Sequence, residues 1–187
     1  MRFSLLTGLG GTEDYPAIAR AAETSGFHSL AIPDSLFYPE ITESDYPYMN
    51  TDAVRQVLDG VPVLDPFIAM ATMAAVTETL RFYPAVMKVP VRQPLVLAKA
   101  LSSLAVVSGN RVSLGAGLSP WKEDFTFNGV DFDNRGKLFD ECLEIIRAAM
   151  SGDYFEYQSD NFIIGRCKLS PSPTAPVPLL IGGHAKP

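Results

Sequence analysis

Cysteine, imidazole and positive charge are all scarce in this 187-residue chain. It has two cysteines, two histidines and one tryptophan, and 15 Lys and Arg against 21 Asp and Glu. Cys142 and Cys167 share no metal-like spacing with each other or with His28 and His184, so no metal is expected. Cys142 falls inside a helical pattern and reads as a buried, inert thiol, which fits a reducing, cytoplasmic setting. The net charge of −6, with no basic run, argues against a nucleic-acid partner. No apolar run approaches the roughly 20 residues that a membrane helix needs. The opening MRFSLLTGLGG has too short an apolar stretch for a signal peptide and reads as a first strand.

What is present is an ordinary globular balance, 47 % hydrophobic and 19 % charged, in a length suited to one domain with a core. Residues 2–7 form an apolar run ended by Gly8, Gly10 and Gly11. Asp14 as N-cap and Pro16 in the first turn then start a helix through Ile18, Ala19 and Ala22, which Gly26 stops. A second strand follows at 29–33, and the strand–helix–strand unit repeats. Asp65-Pro66 opens a helix through Met73 and Val76, 80–89 is a third strand, and Pro94 opens a helix through Leu104 and Val107. A fourth strand lies at 111–115, a long helix at about 134–150, and, after an irregular stretch, a fifth strand at 177–183.

Strands alternating with helices imply a parallel sheet with helices on its outer face. Connections after strands two and four are long. Residues 36–62 hold Tyr38, Tyr46, Tyr48 and five acids, and 116–133 hold Trp121. Long loops at strand C-termini with short turns at the other end favour a (β/α)8 barrel of the TIM type. Such a barrel takes about 250 residues and at the least about 200. Only its first five strands and four helices are expected here, in a single, C-terminally incomplete domain over 1–187. Two bare strand edges then call for cover, and a homodimer is the expected assembly.

Gly115-Ala116-Gly117-Leu118-Ser119-Pro120 is not a dinucleotide fingerprint. Proline stands where the third glycine belongs, and the next helix is expected only after residue 131. No Gly-Lys-Ser/Thr follows either, which removes a P-loop.

The series of motifs does resemble the luciferase-like monooxygenase family. Its marks are the proline-started helix with Ala98-Lys99, Ser108 to Arg111, Gly-x-Gly at 115–117, and then Glu123, Gly129 and Arg135. SGFHSLAIPDS and PSPTAPVPLLIGG fit the second and fifth strand regions. The resemblance covers nearly the whole chain, which has about the first two thirds of the family's usual length. It implies a barrel that carries FMN or coenzyme F-420, the latter favoured by overall pattern, at its C-terminal rim. It also implies hydride transfer or monooxygenation of a small organic molecule. A shortened, non-catalytic relative is the alternative. A metal-dependent barrel hydrolase has little support, because no His or acid cluster recurs at strand ends.

The resemblance implies a cofactor ring beside Asp34, over Ala85 and Val86, and bordered by Gly115, Gly117, Gly182 and Gly183. The third strand is expected to carry a bulge or a cis peptide at Ala85–Val86, next to Pro84. Many relatives follow the acid with His, and here that position is Ser35, which cannot titrate near neutral pH. No general acid or base is assigned. Trp121 is expected to cover a substrate or to fill the outer barrel, and Arg135 and Glu141 to be an ion pair or helix-end groups. His28 and His184 are read as structural. The acidic, tyrosine-rich 36–62 segment hints at a lid over a neutral or cationic group.

Overall fold

A computed structural model describes residues 1–8, 12–48 and 50–183; Gly10, Gly11 and His184 lie outside the described residues. The chain runs β1 (Ser4–Leu6), α1 (Tyr15–Thr24), β2 (Ser29–Ile32), α2 (Thr51–Leu58), α3 (Pro66–Ala74), β3 (Arg81–Pro84), β4 (Met87–Lys88), α4 (Pro94–Val107) and β5 (Leu114–Gly117). It continues through α5 (Lys122–Thr126), α6 (Arg135–Met150), β6 (Phe155–Gln158), β7 (Ile163–Cys167) and β8 (Leu179–Ile181).

The barrel strands β1 to β5 and β8 are parallel and lie in chain order, as the alternating pattern predicts. β1 pairs with β2 (Ser4 beside Ser29) and β2 with β3 (Leu30 beside Phe82). β4 pairs with β5 (Met87 beside Ala116) and β5 with β8 (Leu114 beside Leu179). Among the described residues one parallel bridge, Phe82 to Val112, joins the two halves. The result is part of a (β/α)8 barrel with β1 and β8 as its outer strands. Leu6 and Ile181 on those strands are exposed.

Helices α1, α3, α4 and α6 pack on one another in chain order. The core between them and the sheet includes Leu30, Ile32, Phe82, Met87 and Leu114 from strands, with Met70, Met73, Leu101, Cys142 and Ile146 from helices. The proline starts hold: Asp65 caps α3 through the Phe67 and Ile68 amides at 2.9 and 3.3 Å. Asp14 differs. It ends a short 3-10 turn and its side chain makes no capping bond.

The bounds of three strands and the content of three connecting segments depart from the sequence reading. The third strand, expected over 80–89, divides into β3 and β4 at Ala85–Val86, where the peptide is cis as expected beside Pro84. The fourth begins at Leu114, three residues later than expected, and the fifth is confined to Leu179–Ile181. Short helices α2 and α5 occupy the two segments expected as loops, with Asn50 accepting the Ala53 amide to start α2. The stretch expected to be irregular contains the antiparallel hairpin β6–β7. Phe155, Tyr157, Ile163 and Ile164 favour strands, but the hairpin's faces alternate only between half-buried and exposed, so its apolar period is faint.

At the strand N-termini, two charged side chains fasten the α3–β3 turn. The Glu23 carboxylate accepts the Glu78, Thr79 and Leu80 amides, and these bonds, Thr79's foremost, hold it at about 2. Arg111 donates to the carbonyls of Ala74, Leu80 and Ser108 and to the Thr77 hydroxyl, which gives the Ser108-to-Arg111 spacing a structural meaning. His28 lies at this same end. Burial and the nearby Arg2 and Arg81 push its pKa down. Among the described residues no helix is long and apolar enough to cross a membrane.

Candidate active site

The C-terminal ends of β2, β4, β5 and β8 open onto a cleft of about 430 Å³, within the usual size range of small-molecule sites. Ala85 and Val86, Gly182 and Gly183, Pro33 and Asp34 all line it. Ala85 is exposed there and Val86 half-buried.

Gly115 and Gly117 act from behind this surface. A Cβ on Gly115 would lie 1.9 Å from the Pro84 carbonyl oxygen, and one on Gly117 would lie 2.6 Å from Val86 Cγ2. A Cβ on Gly182 would meet the other Val86 methyl at 2.7 Å. The glycines of β5 and the one that follows β8 therefore let the strands close around the Ala85–Val86 bend. Gly183 has open space where its Cβ would be.

Asp34 lines the cleft, but its carboxylate is engaged within the protein. Its side chain is fully buried and forms a two-pronged ion pair with Arg92, with bonds of 2.8 and 2.9 Å. It also accepts the Lys88 amide at 2.8 Å. Arg92 in turn donates to the Lys88 carbonyl at 3.1 Å. The backbone of Lys88 is thus held from both sides. The Lys88 ammonium pairs with Asp124 at 2.6 Å, and Asp124 also bonds the Ser119 hydroxyl. This buried chain of charges joins β2, β4 and the start of α5.

A second, smaller cavity of about 140 Å³ adjoins the cleft, lined by the 35–39 and 55–63 segments together with Lys88, Trp121, Glu123 and Asp124. Ser35, Leu58, Val63, Lys88 and Trp121 line both spaces. Tyr46 stacks on Trp121 with ring centroids 5.2 Å apart, and Tyr48 meets Tyr46 edge-on. Residues of the 36–62 segment thus wall both spaces, and Glu123 latches the segment to α5. That carboxylate accepts the Thr42 hydroxyl, the Glu43 amide and the Ser44 hydroxyl, each at 2.7 Å. Burial raises its pKa, but these bonds outweigh it and hold the group at about 2.

The sequence reading and the geometry meet at Asp34, Ala85, Val86 and Gly183, which share one cleft, while Gly115 and Gly117 pack one layer beneath. Arg135 and Glu141 stand apart. Arg135, the first residue of α6, sits over the Phe132 ring at 3.8 Å, and Glu141, in the middle of the helix, accepts Asn161 at 2.9 Å, so they are not partners of each other and only Arg135 is a helix-end group. Lys88, Arg92 and Asp124 were not singled out in the sequence. A signal existed for Lys88: one charged residue in the otherwise apolar run Ala85–Val91, at a strand's C-terminal end.

Comparison with known proteins adds to this geometry. The uncharacterized protein Rv0940c of Mycobacterium tuberculosis is 46 % identical over 185 residues, which is 99 % of this chain and 64 % of that protein. The chain thus spans about two thirds of this relative's length, and about half that of its solved structural neighbours. One neighbour is a riboflavin lyase with modified FMN and riboflavin, at a TM-score of 0.80 and 17 % identity, covering 100 % of this chain and 51 % of the lyase. Another is an F-420-dependent secondary alcohol dehydrogenase in complex with an F-420–acetone adduct, at a TM-score of 0.76 and 17 % identity, covering 97 % and 52 %. At such identities the likeness is one of fold. The sequence profile described as luciferase-like monooxygenase matches residues 4–187. With its strands in barrel order and its cleft at their C-terminal ends, this chain belongs to the luciferase-like monooxygenase family.

Proposed function

We propose that the 430 Å³ cleft holds the ring of a flavin-type cofactor, and that the chain serves an oxidoreductase acting on a small organic molecule. The observation that carries this reading is the surface made by Ala85 and Val86. Small and exposed at Ala85, it is backed by glycines that leave no room for a Cβ and flanked by Gly183, where a flat group meets only backbone. Such a ring, when bound, supplies hydride transfer or oxygen activation. The protein's part is to position it. Asp34 and Arg92 fix the β4 end, the glycines fix Val86, and Trp121 with Tyr46 shields the opening from water. Coenzyme F-420 is favoured over FMN on sequence pattern, and the two solved neighbours carry one each.

The test is a visible-absorbance titration with FMN and with F-420. Binding of either is expected for the parent, and Ala85→Phe is expected to abolish it while far-UV circular dichroism is unchanged. Equal binding by A85F and the parent, or no binding by the parent, would overturn the assignment.

A further inference from the structure

Lys88 is the charged side chain at the junction of the cleft and the smaller cavity, and it lines both. Its side chain is 12 % exposed, and its ammonium is held by Asp124 at 2.6 Å, with Ser119 bonded to the same carboxylate oxygen. An ammonium carries three N–H donors, and the pair with Asp124 uses one. Behind it the smaller cavity is walled by Leu36, Phe37, Leu58, Val61 and Val63. Two cations, Lys88 and Arg55, and two acids, Glu123 and Asp124, also border it, so its formal charge balances. A space walled in part by apolar side chains and neutral overall, with a fixed donor at its mouth, suits an uncharged molecule with one hydrogen-bond-accepting oxygen.

We propose that this smaller cavity is a substrate subsite for a neutral carbonyl compound, with the carbonyl oxygen on Lys88 Nζ and the hydrocarbon part among Leu36, Leu58 and Val61. The inference rests on the cofactor reading for its place beside the ring, since the oxygen on Lys88 faces the cleft. Asp124 and Ser119 are positioning residues, which hold the ammonium at the mouth.

The experiment is calorimetric titration with three probes of one shape: cyclohexanone, methylenecyclohexane, which lacks the oxygen, and cyclohexanecarboxylate. Cyclohexanone is expected to bind the parent about tenfold or more tighter than methylenecyclohexane, as a charge-assisted hydrogen bond requires. Lys88→Met should bring the two to parity, Lys88→Arg should keep the preference, and Val61→Phe should remove binding of both by filling the cavity. Equal affinities in the parent, a preference that survives K88M, or tighter binding of the carboxylate would each overturn the proposal. The parent is also titrated with FMN and F-420. If neither binds but the Lys88-dependent ketone preference holds, the cofactor reading fails and the subsite stands. If a cofactor binds and the preference is absent, the subsite alone fails.

Discussion

Replacing Asp34 by alanine removes the centre of the buried charge chain. The side chain is fully buried, and Arg92, its partner, is only 16 % exposed. Three bonds disappear: two to the Arg92 guanidinium and one to the Lys88 amide. Stranding one half of a buried ion pair costs about 3–5 kcal/mol, and an orphaned buried amide about 1–3 kcal/mol. Water entering from the adjoining cleft offsets part of this sum, so the expected loss is about 3–5 kcal/mol in all. Asp34→Asn keeps the shape but not the charge. Because charge-assisted bonds are roughly twice as strong as neutral ones, it should lose about half as much. The assay is urea unfolding at pH 7, followed by Trp121 fluorescence and far-UV circular dichroism. Arg92→Met and the double substitution complete a cycle, for which a coupling of about 1–3 kcal/mol is expected. A D34A loss below about 1 kcal/mol, or a coupling below about 0.5 kcal/mol, would show that the pair is not the fastening the geometry describes.

Gly115→Ala should lower the melting temperature by about 5–10 °C, since overpacking of about 1–3 kcal/mol falls on a main-chain oxygen that cannot swing away. Gly183→Ala, with no atom within 4 Å of its Cβ, should stay within about 0.5 kcal/mol of the parent, and thermal melts separate the two. Glu123 contributes fully to stability above its ordinary value of 4.5 and loses that contribution as pH falls towards about 2. Urea midpoints of Glu123→Gln should therefore vary less steeply with pH than the parent's below about pH 5; parallel curves would count against the latch. The exposed Leu6 and Ile181 on the outer strands predict self-association of the 187-residue chain, measured by light scattering after gel filtration; a monomeric mass at all concentrations would contradict this.

The barrel order was legible because each strand begins or ends at a strong local signal. Asp65-Pro66 and Pro94 set helix starts, Gly26 set a stop, and apolar runs marked the strands between. The cleft was legible through resemblance, which located Asp34 and Ala85–Val86. What stayed hidden was pairwise. Nothing in the one-dimensional pattern joins Asp34 to Arg92, 58 positions on, or Thr42 to Glu123, 81 positions on. Buried charges read as surface until a partner is seen. Gly115 was legible as a small residue needing close approach, but whether that approach serves a ligand or the Pro84 carbonyl is a matter of distances.

The Glu123 latch has a consequence for how the molecule breathes. One carboxylate gathers three donors from residues 42–44, and Ser44 in turn receives the Lys122 amide at 2.8 Å. Three bonds on one carboxylate predict that the segment opens as one cooperative unit, at a lower free energy than the barrel core. Its amides should exchange with solvent in a single step, well before those of β2 or β5. The smaller cavity thus has one wall on a slow clock and one on a fast clock. Substitutions in residues 36–62 can reset the fast one, and with it the rate of entry, while the sheet that holds Ala85 and Val86 keeps its own time.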